Sequence, residues 1–207
     1  MSVLSILEKE YGSGGTMLKH HNVLELMIAT MLAAQCTDKR VNIVTKSLFK
    51  RYRKASDYSF ATLSGLEKEI KSTGFYKNKA KNIKNACKMI VEKYNGKVPK
   101  TMDELIKLPG IGRKTANIIL TYGFGKTEGI AVDTHVRRLS FRLGLTDKKD
   151  PDKIEQDLIR LFSKKDWYKV NYLLVTHGRA ICKAPSPTCS VCVLSKKCPR
   201  NGVVRSK

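Results

Sequence analysis

The segment Leu108–Gly112, which reads Leu-Pro-Gly-Ile-Gly, restricts the possible folds of this chain more than any other stretch. Before it, Thr101 and Glu104 have the spacing of a capping box, which predicts a helix start. After it, an apolar run from Thr115 predicts a second helix. Glycine adopts backbone angles that other residues avoid, so two glycines allow a very tight turn. The segment therefore predicts two helices joined by a hairpin, over about residues 101–122.

Apolar residues recur at helical spacing along most of the chain. Leu24, Met27, Ile28, Met31 and Leu32, for example, fall at i, i+3, i+4, i+7 and i+8. Similar patterns occupy residues 83–94, 136–143, 154–162 and 167–174, and no stretch alternates as a strand would. These patterns predict an all-α protein of nine or ten short helices.

The balance of charge indicates the class of partner. The chain has 40 Lys and Arg against 18 Asp and Glu, a net charge of +22. Such an excess favours a nucleic acid, because each neutralised phosphate releases counterions. A lysine-rich surface without a partner and an anionic membrane surface are the alternatives. No apolar run reaches the roughly 18 residues of a membrane span, and no signal peptide is evident, so a cytoplasmic location is expected.

The glycine hairpin has two possible uses. Its glycines can cap a plain helical turn, or they can let backbone N–H groups approach a ligand closely. The start of the second helix favours an anion, because its first N–H groups are unpaired and the helix dipole is positive there. With a net charge of +22, a DNA phosphate is the favoured ligand.

Four cysteines near the C-terminus indicate a metal site. Cys182, Cys189, Cys192 and Cys198 have the spacing C-x6-C-x2-C-x5-C. A zinc ribbon usually has two CxxC pairs, whereas this segment has one. The spacing favours a 4Fe–4S cluster over zinc, and either metal over disulfides.

The hairpin residues 108–116, the glycine-rich stretch Tyr122–Gly129 and the sequence Val-Asp-Thr-His at 132–135 resemble the helix–hairpin–helix DNA glycosylase superfamily. The cysteine spacing resembles that of one branch, the endonuclease III family. The resemblance covers about residues 5–200 and implies two packed helical domains with a DNA-binding cleft between them. Residues 16–127 would form a six-helix barrel carrying the hairpin. Residues 1–15 and 128–207 would form the iron–sulfur cluster domain.

The resemblance also implies a catalytic pair. Lys114 matches the nucleophilic lysine of the family, which attacks the sugar and forms a Schiff base. Asp133 matches the family's aspartate, whose carboxylate opposes positive charge on the sugar. Without the resemblance, Lys114 reads as a surface lysine and Asp133 as a helix N-cap.

Further matching positions imply contacts with DNA. Gln35 would enter the duplex and hydrogen-bond the base left without a partner, and Phe75 would be a wedge between bases. The family more often has an aliphatic residue at the position of Phe75, and core packing is its alternative role. The other residues expected to contact DNA are Lys77, Lys79, Leu108, Gly110, Gly112 and Arg113.

Together these features predict a monomeric bifunctional DNA glycosylase and abasic-site lyase. It would remove oxidised pyrimidines such as thymine glycol from duplex DNA and cut the strand by β-elimination. Two alternatives remain: a monofunctional T/G or U/G mismatch glycosylase, and a non-catalytic helix–hairpin–helix DNA-binding module. The presence of both Lys114 and Asp133 disfavours the module, and Lys114 disfavours the monofunctional enzyme.

Overall fold

The computed structural model describes residues 2–207, and within that range all regular secondary structure is helical. In chain order the α-helices are α1 (Val3–Tyr11), α2 (Val23–Leu32), α3 (Asp38–Arg51), α4 (Ala55–Phe60), α5 (Leu63–Ile70), α6 (Tyr76–Lys93), α7 (Met102–Leu105), α8 (Arg113–Phe124), α9 (Thr134–Arg142), α10 (Pro151–Leu161) and α11 (Trp167–Ala180). Three 3₁₀ helices cover Lys71–Thr73, Lys164–Asp166 and Cys189–Val191. The predicted all-α class is confirmed. The predicted number of helices was too low, because helices as short as the six residues of α4 show no apolar period.

The described chain forms two compact units. One is continuous and covers Thr16–Glu128, whereas the other combines residues 2–15 with Gly129–Lys207. The sequence placed the second boundary one residue earlier, between residues 127 and 128. No helix among residues 2–207 is long and apolar enough to cross a membrane.

The Thr16–Glu128 unit has its core between α2, α6 and α8. The side chain of Asn22 accepts a hydrogen bond from the N–H of Glu25, which starts α2. Seven consecutive residues of α2, Leu26–Leu32, are buried, as expected for a helix segment enclosed on all sides. α6 contributes one buried stripe, which comprises Lys79, Ala80, Ile83, Ala86, Cys87 and Ile90. α8 packs against α2, so the second hairpin helix is fixed to the core of this unit.

The other unit has its core between α1, α9, α10 and α11. Leu4 and Leu7 of α1 pack in the same apolar cluster as Leu173 and Leu174 of α11. An ion pair reinforces this packing, because the Lys169 ammonium lies 2.8 Å from a Glu8 carboxylate oxygen. The first helix of the chain therefore packs within the C-terminal unit.

Candidate functional site

The hairpin between α7 and α8 is held by short backbone hydrogen bonds. The N–H of Leu108 donates to the carbonyl of Leu105 at 3.0 Å, and the N–H of Ile111 donates to Leu108 at 3.1 Å. Gly112 then stands at the N-cap of α8 and brings no capping side chain. No side chain therefore caps the first backbone N–H groups of α8. Backbone N–H groups at a helix N-terminus are a common binding site for anions.

Gly110 is required at its position for two reasons. Its φ is +79°, in the left-handed region that favours glycine. A Cβ there would also lie 2.8 Å from the Cβ of Asn82 on α6. Gly112, by contrast, has an extended backbone and no atom within 4 Å of a built Cβ. The fold therefore requires glycine at position 110, whereas the space beside Gly112, at the start of α8, is open.

The apolar and polar residues of the hairpin point in different directions. Leu108 and Ile111 are 1% and 5% exposed, and they anchor the turn in the core. Gly110, Arg113 and Lys114 are exposed. Because the Leu108 side chain is buried, the predicted DNA contact of Leu108 can be made only through its backbone.

An open pocket within the Thr16–Glu128 unit brings several of the predicted DNA-binding residues together. Gln35, Phe75, Lys79 and Gly110 line it with Met31, Ala34, Asn78 and Asn82. Gln35 and Phe75 have φ values of +52° and +48°, which cost non-glycine residues roughly 1–2 kcal/mol. Strained backbone of this kind concentrates at functional sites. Phe75 is 64% exposed, which excludes the core-packing alternative, and Gln35 is exposed as well.

The two lysines that follow Phe75 have different environments. Lys77 is exposed on the first turn of α6, in agreement with a surface role. Lys79 is only 7% exposed, and its ammonium donates to the carbonyls of Leu32 and Thr73, each at 2.8 Å. Burial lowers the pKa of this ammonium. The prediction that Lys79 contacts a DNA phosphate is wrong, because its ammonium is committed inside the protein.

Asp133 lies in the other unit, at the N-cap of α9. One carboxylate oxygen accepts from the N–H groups of His135 and Val136, each at 2.8 Å. The N-cap alternative is therefore present in the structure. Two charge-assisted bonds to rigid backbone also fix the orientation of the carboxylate, which is half-buried. His135 is hydrogen-bonded within the unit, where its Nδ1 lies 3.1 Å from Nη2 of Arg138.

The four C-terminal cysteines line one cavity. All six cysteines of the chain lie among the described residues and are free thiols, so no disulfide is present there. Burial raises the pKa of the Cys192 and Cys198 thiols. Within residues 2–207, no three His, Cys, Asp or Glu side chains are grouped closely enough to hold a single metal ion. Four thiols around one cavity are a donor set that either an iron–sulfur cluster or a zinc ion can use.

Two basic side chains contact these sulfurs. Arg142 is buried, and its Nη1 lies 3.4 Å from Cys182 Sγ and 2.9 Å from the carbonyl oxygen of Lys183. His177 is also buried, and its two ring nitrogens lie 2.8 Å from the Tyr11 hydroxyl and 3.4 Å from Cys192 Sγ. Donors facing sulfur atoms are typical surroundings of ligating thiolates. Both contacts cross between distant parts of the chain, so sequence inspection does not find them.

The fold and the hairpin define a DNA-repair class. The family of HhH-GPD superfamily base excision DNA repair proteins matches residues 28–164, and the chain belongs to it. Within that superfamily the chain is a member of the endonuclease III family, as its cysteine spacing predicted. It is 48% identical over 197 residues to the endonuclease III of Synechocystis sp., covering 95% of this chain and 90% of the relative.

A second relative and a solved structure also place the chain in the endonuclease III family. The endonuclease III of Bacillus subtilis is 49% identical over 191 residues, covering 92% of this chain and 86% of that protein. The solved structure of a trapped endonuclease III–DNA covalent intermediate, in an estranged-adenine complex, matches with a TM-score of 0.91 and 44% identity. That match covers 95% of this chain and 92% of the solved chain.

Proposed function

We propose that this protein is a bifunctional DNA glycosylase and abasic-site lyase of base excision repair, acting on oxidised pyrimidines in duplex DNA. One observation carries the proposal. Lys114 is exposed on the first turn of α8, beside a glycine hairpin with a bare helix start. A protein 44% identical to this chain forms a covalent intermediate with DNA. An amine at this position provides the nucleophile that such an intermediate requires.

In the proposed reaction, the unprotonated amine of Lys114 attacks C1′ of the damaged nucleotide. The new N–C1′ bond forms as the bond to the base breaks, and the base leaves with its electron pair and takes up a proton. The C1′–O4′ bond then breaks, O4′ takes up a proton from water, and the nitrogen lone pair forms the C=N bond of a protonated Schiff base. Loss of a proton from C2′ then expels the 3′ phosphate, so the strand is cut by β-elimination.

Asp133 supplies a negative charge to the same reaction. Positive charge develops on the sugar as the base departs, and a carboxylate held in place stabilises that charge. The N–H groups of His135 and Val136 hold one oxygen of Asp133, which fixes the orientation of the whole carboxylate. The helix cap and the catalytic role are therefore compatible.

The DNA contacts follow from the exposed residues. The backbone at Gly110 and Gly112, with the start of α8, binds a phosphate, and Arg113 and Lys77 add cationic contacts. Gln35 fills the gap left by the extruded nucleotide, and Phe75 separates the neighbouring bases. Their shared pocket, their exposure and their left-handed backbone conformations support this assignment.

We further propose a 4Fe–4S cluster held by Cys182, Cys189, Cys192 and Cys198. The four free thiols line one cavity, and Arg142 and His177 lie beside their sulfurs, as expected around ligating thiolates. The C-x6-C-x2-C-x5-C spacing, with a single CxxC pair, favours this group over a zinc ion. When bound, the cluster would cross-link the C-terminal loop through these four cysteines, and neither base release nor β-elimination would require it. The protein is proposed to work as a monomer, on the DNA of the cytoplasm.

Trapping with borohydride tests the enzymatic proposal. The protein is mixed with a duplex that carries one thymine glycol, and borohydride reduces any Schiff base to a stable protein–DNA adduct. Wild type and Lys88→Ala, a matched surface lysine whose side chain is 62% exposed, are expected to form the adduct, and Lys114→Ala is not. Base release with an intact strand would indicate a monofunctional glycosylase. Binding without base release or adduct, on any oxidised or mismatched base, would indicate the DNA-binding module.

Metal analysis tests the cofactor. Protein purified without oxygen is expected to contain about four iron atoms per chain, because a 4Fe–4S cluster contains four irons and each is bound by one cysteine. Zinc at about one atom per chain, with no iron, would contradict the cluster.

A further inference from the structure

Lys79 joins three separate parts of the Thr16–Glu128 unit. Its backbone N–H donates to the carbonyl of Phe75 at 3.1 Å, which is the first hydrogen bond of α6. Its ammonium donates to the carbonyls of Leu32 and Thr73, each at 2.8 Å. Leu32 is the last residue of α2, and Thr73 is the last residue of a 3₁₀ helix. The side chain therefore connects the ends of two helices to the start of a third.

The position of this cation is unfavourable by itself. A positive charge in the first turn of a helix opposes the helix dipole, and a buried ammonium loses its hydration. Both penalties are offset by the two carbonyls, one of which ends α2, where the dipole favours a cation. What Lys79 provides is a fixed distance between those two carbonyls.

Each carbonyl lies just before a residue proposed to enter DNA. Leu32 is three residues before Gln35, and Thr73 is two residues before Phe75. Gln35 and Phe75 line the same pocket as Lys79, and both have left-handed backbones. Strained conformations of this kind persist only where the surrounding structure enforces them.

We propose that Lys79 is a positioning residue that clamps the Gln35 and Phe75 loops together, so that both side chains enter the duplex as one unit. This inference rests on the proposed function, because it assumes that the two loops replace an extruded nucleotide. Lys79 contacts neither substrate nor reacting atoms, and it acts through the two loops. Without this clamp, the Gln35 loop and the Phe75 loop move independently of each other. Their side chains then occupy the gap left by the extruded nucleotide for a smaller fraction of the time.

The test compares two substrates on the same preparation of protein. In the first duplex the thymine glycol lies opposite adenine. In the second it lies opposite an abasic-site analogue, so no partner base is left behind and extrusion is easier. Single-turnover base release is measured for wild type, Lys79→Met and Lys88→Met. Lys88 is a matched control on α6, where its side chain is 62% exposed beside Glu92.

Lys79→Met is expected to slow release from the paired duplex by about tenfold or more, and from the unpaired duplex by less than about threefold. Lys88→Met is expected to leave both rates within about twofold of wild type. The result is expressed as the rate on the paired duplex divided by the rate on the unpaired duplex. A variant whose only defect is a smaller folded fraction loses the same factor on both duplexes, so its ratio equals that of wild type. If Lys79→Met does not fold, Lys79→Gln carries the same comparison, because its polar amide is on a shorter side chain that cannot hold both carbonyls as the ammonium does.

An equal loss on both substrates would overturn the clamp and leave Lys79 a purely structural residue. Unchanged rates on both would overturn it as well. A wild-type protein that releases no base from either duplex would refute the proposed function, and the clamp with it. A changed ratio in an active wild-type background is the one outcome that supports the clamp.

Discussion

Asp133 offers a way to separate the stability of the fold from its chemistry. Its carboxylate accepts two hydrogen bonds of 2.8 Å from the first turn of α9. Asp133→Ala removes the acceptor for both N–H groups, and loss of an N-cap lowers the free energy of unfolding by about 1 kcal/mol. Asp133→Asn keeps an oxygen in the same place, because asparagine caps as well as aspartate. The remaining loss, from the missing charge at the helix start, is about 0.5 kcal/mol.

The effect on catalysis is expected to be much larger. Loss of a fixed group that stabilises transition-state charge lowers rates by roughly 10² to 10³, or about 2.7–4 kcal/mol. Asp133→Asn is therefore expected to remain almost as stable as wild type and to lose at least about a hundredfold in base release. Urea unfolding measures the first quantity, and single-turnover release from a thymine glycol duplex measures the second. The unfolding curves also show that the variant is folded during the rate measurement.

Two results would refute this reasoning. Asp133→Asn with base release within about threefold of wild type would show that the negative charge has no catalytic role. Asp133→Asn as unstable as Asp133→Ala would show that the cap depends on charge more than on the accepting oxygen. Base release tests the catalytic role of the charge and urea unfolding tests the cap, so measuring both variants in both assays shows which of the two ideas is wrong.

Three further predictions concern single residues. Gly110→Ala is expected to lower the free energy of unfolding by about 2 kcal/mol or more, because the φ of Gly110 is +79° and the new Cβ would meet Asn82. Gly112→Ala is expected to change that free energy by less than about 1 kcal/mol. Urea unfolding measures both, and equal losses would show that Gly110 is not specifically required by the fold. Phe75→Gly is expected to raise the free energy of unfolding by about 1 kcal/mol by relieving a φ of +48°, while weakening binding to lesion duplex in a fluorescence titration. Burial raises the pKa of the Cys87 thiol to about 12, so its thiolate fraction at pH 8 is on the order of 10⁻⁴. Iodoacetamide at pH 8 is expected to label Cys87 only after unfolding, as followed by mass spectrometry, and rapid labelling of the native protein would contradict its burial.

The helices and the hairpin could be predicted because their signals are local. A 3.6-residue apolar period and two glycines each act within a few residues, and α8 begins at Arg113, directly after Gly112. Thr101 stands at the N-cap of α7 as predicted, although its hydroxyl donates to the Glu104 carboxylate and caps no backbone N–H. The same reasoning is wrong for Lys79, because a net charge of +22 predicts a lysine on the surface, whereas this side chain is buried. Its partner Leu32 is 47 residues away, and that contact has no local signature.

One local signal for Lys79 was available. Positions 79, 83, 87 and 90 follow helical spacing, and the last three are apolar, so Lys79 falls on the buried stripe of α6. A cation on an apolar stripe predicts a buried, hydrogen-bonded ammonium. The same argument applies to Leu108, a leucine directly before a turn, where a core anchor was the simpler expectation. The strained backbones of Gln35 and Phe75 had no comparable signal, because neither residue type prefers a positive φ.

The packing of α1 against α11 has a consequence for synthesis on the ribosome. Leu4 and Leu7 leave the ribosome before the whole Thr16–Glu128 unit, but the leucines they pack against, Leu173 and Leu174, are made more than 160 residues later. At roughly 5–20 residues per second, this is a wait of about 8–30 s. During that interval the inserted unit is complete and can fold, while α1 has no core to join. A nascent chain stalled before α11 would therefore carry a finished hairpin and an exposed apolar helix, a species that chaperones and proteases recognise.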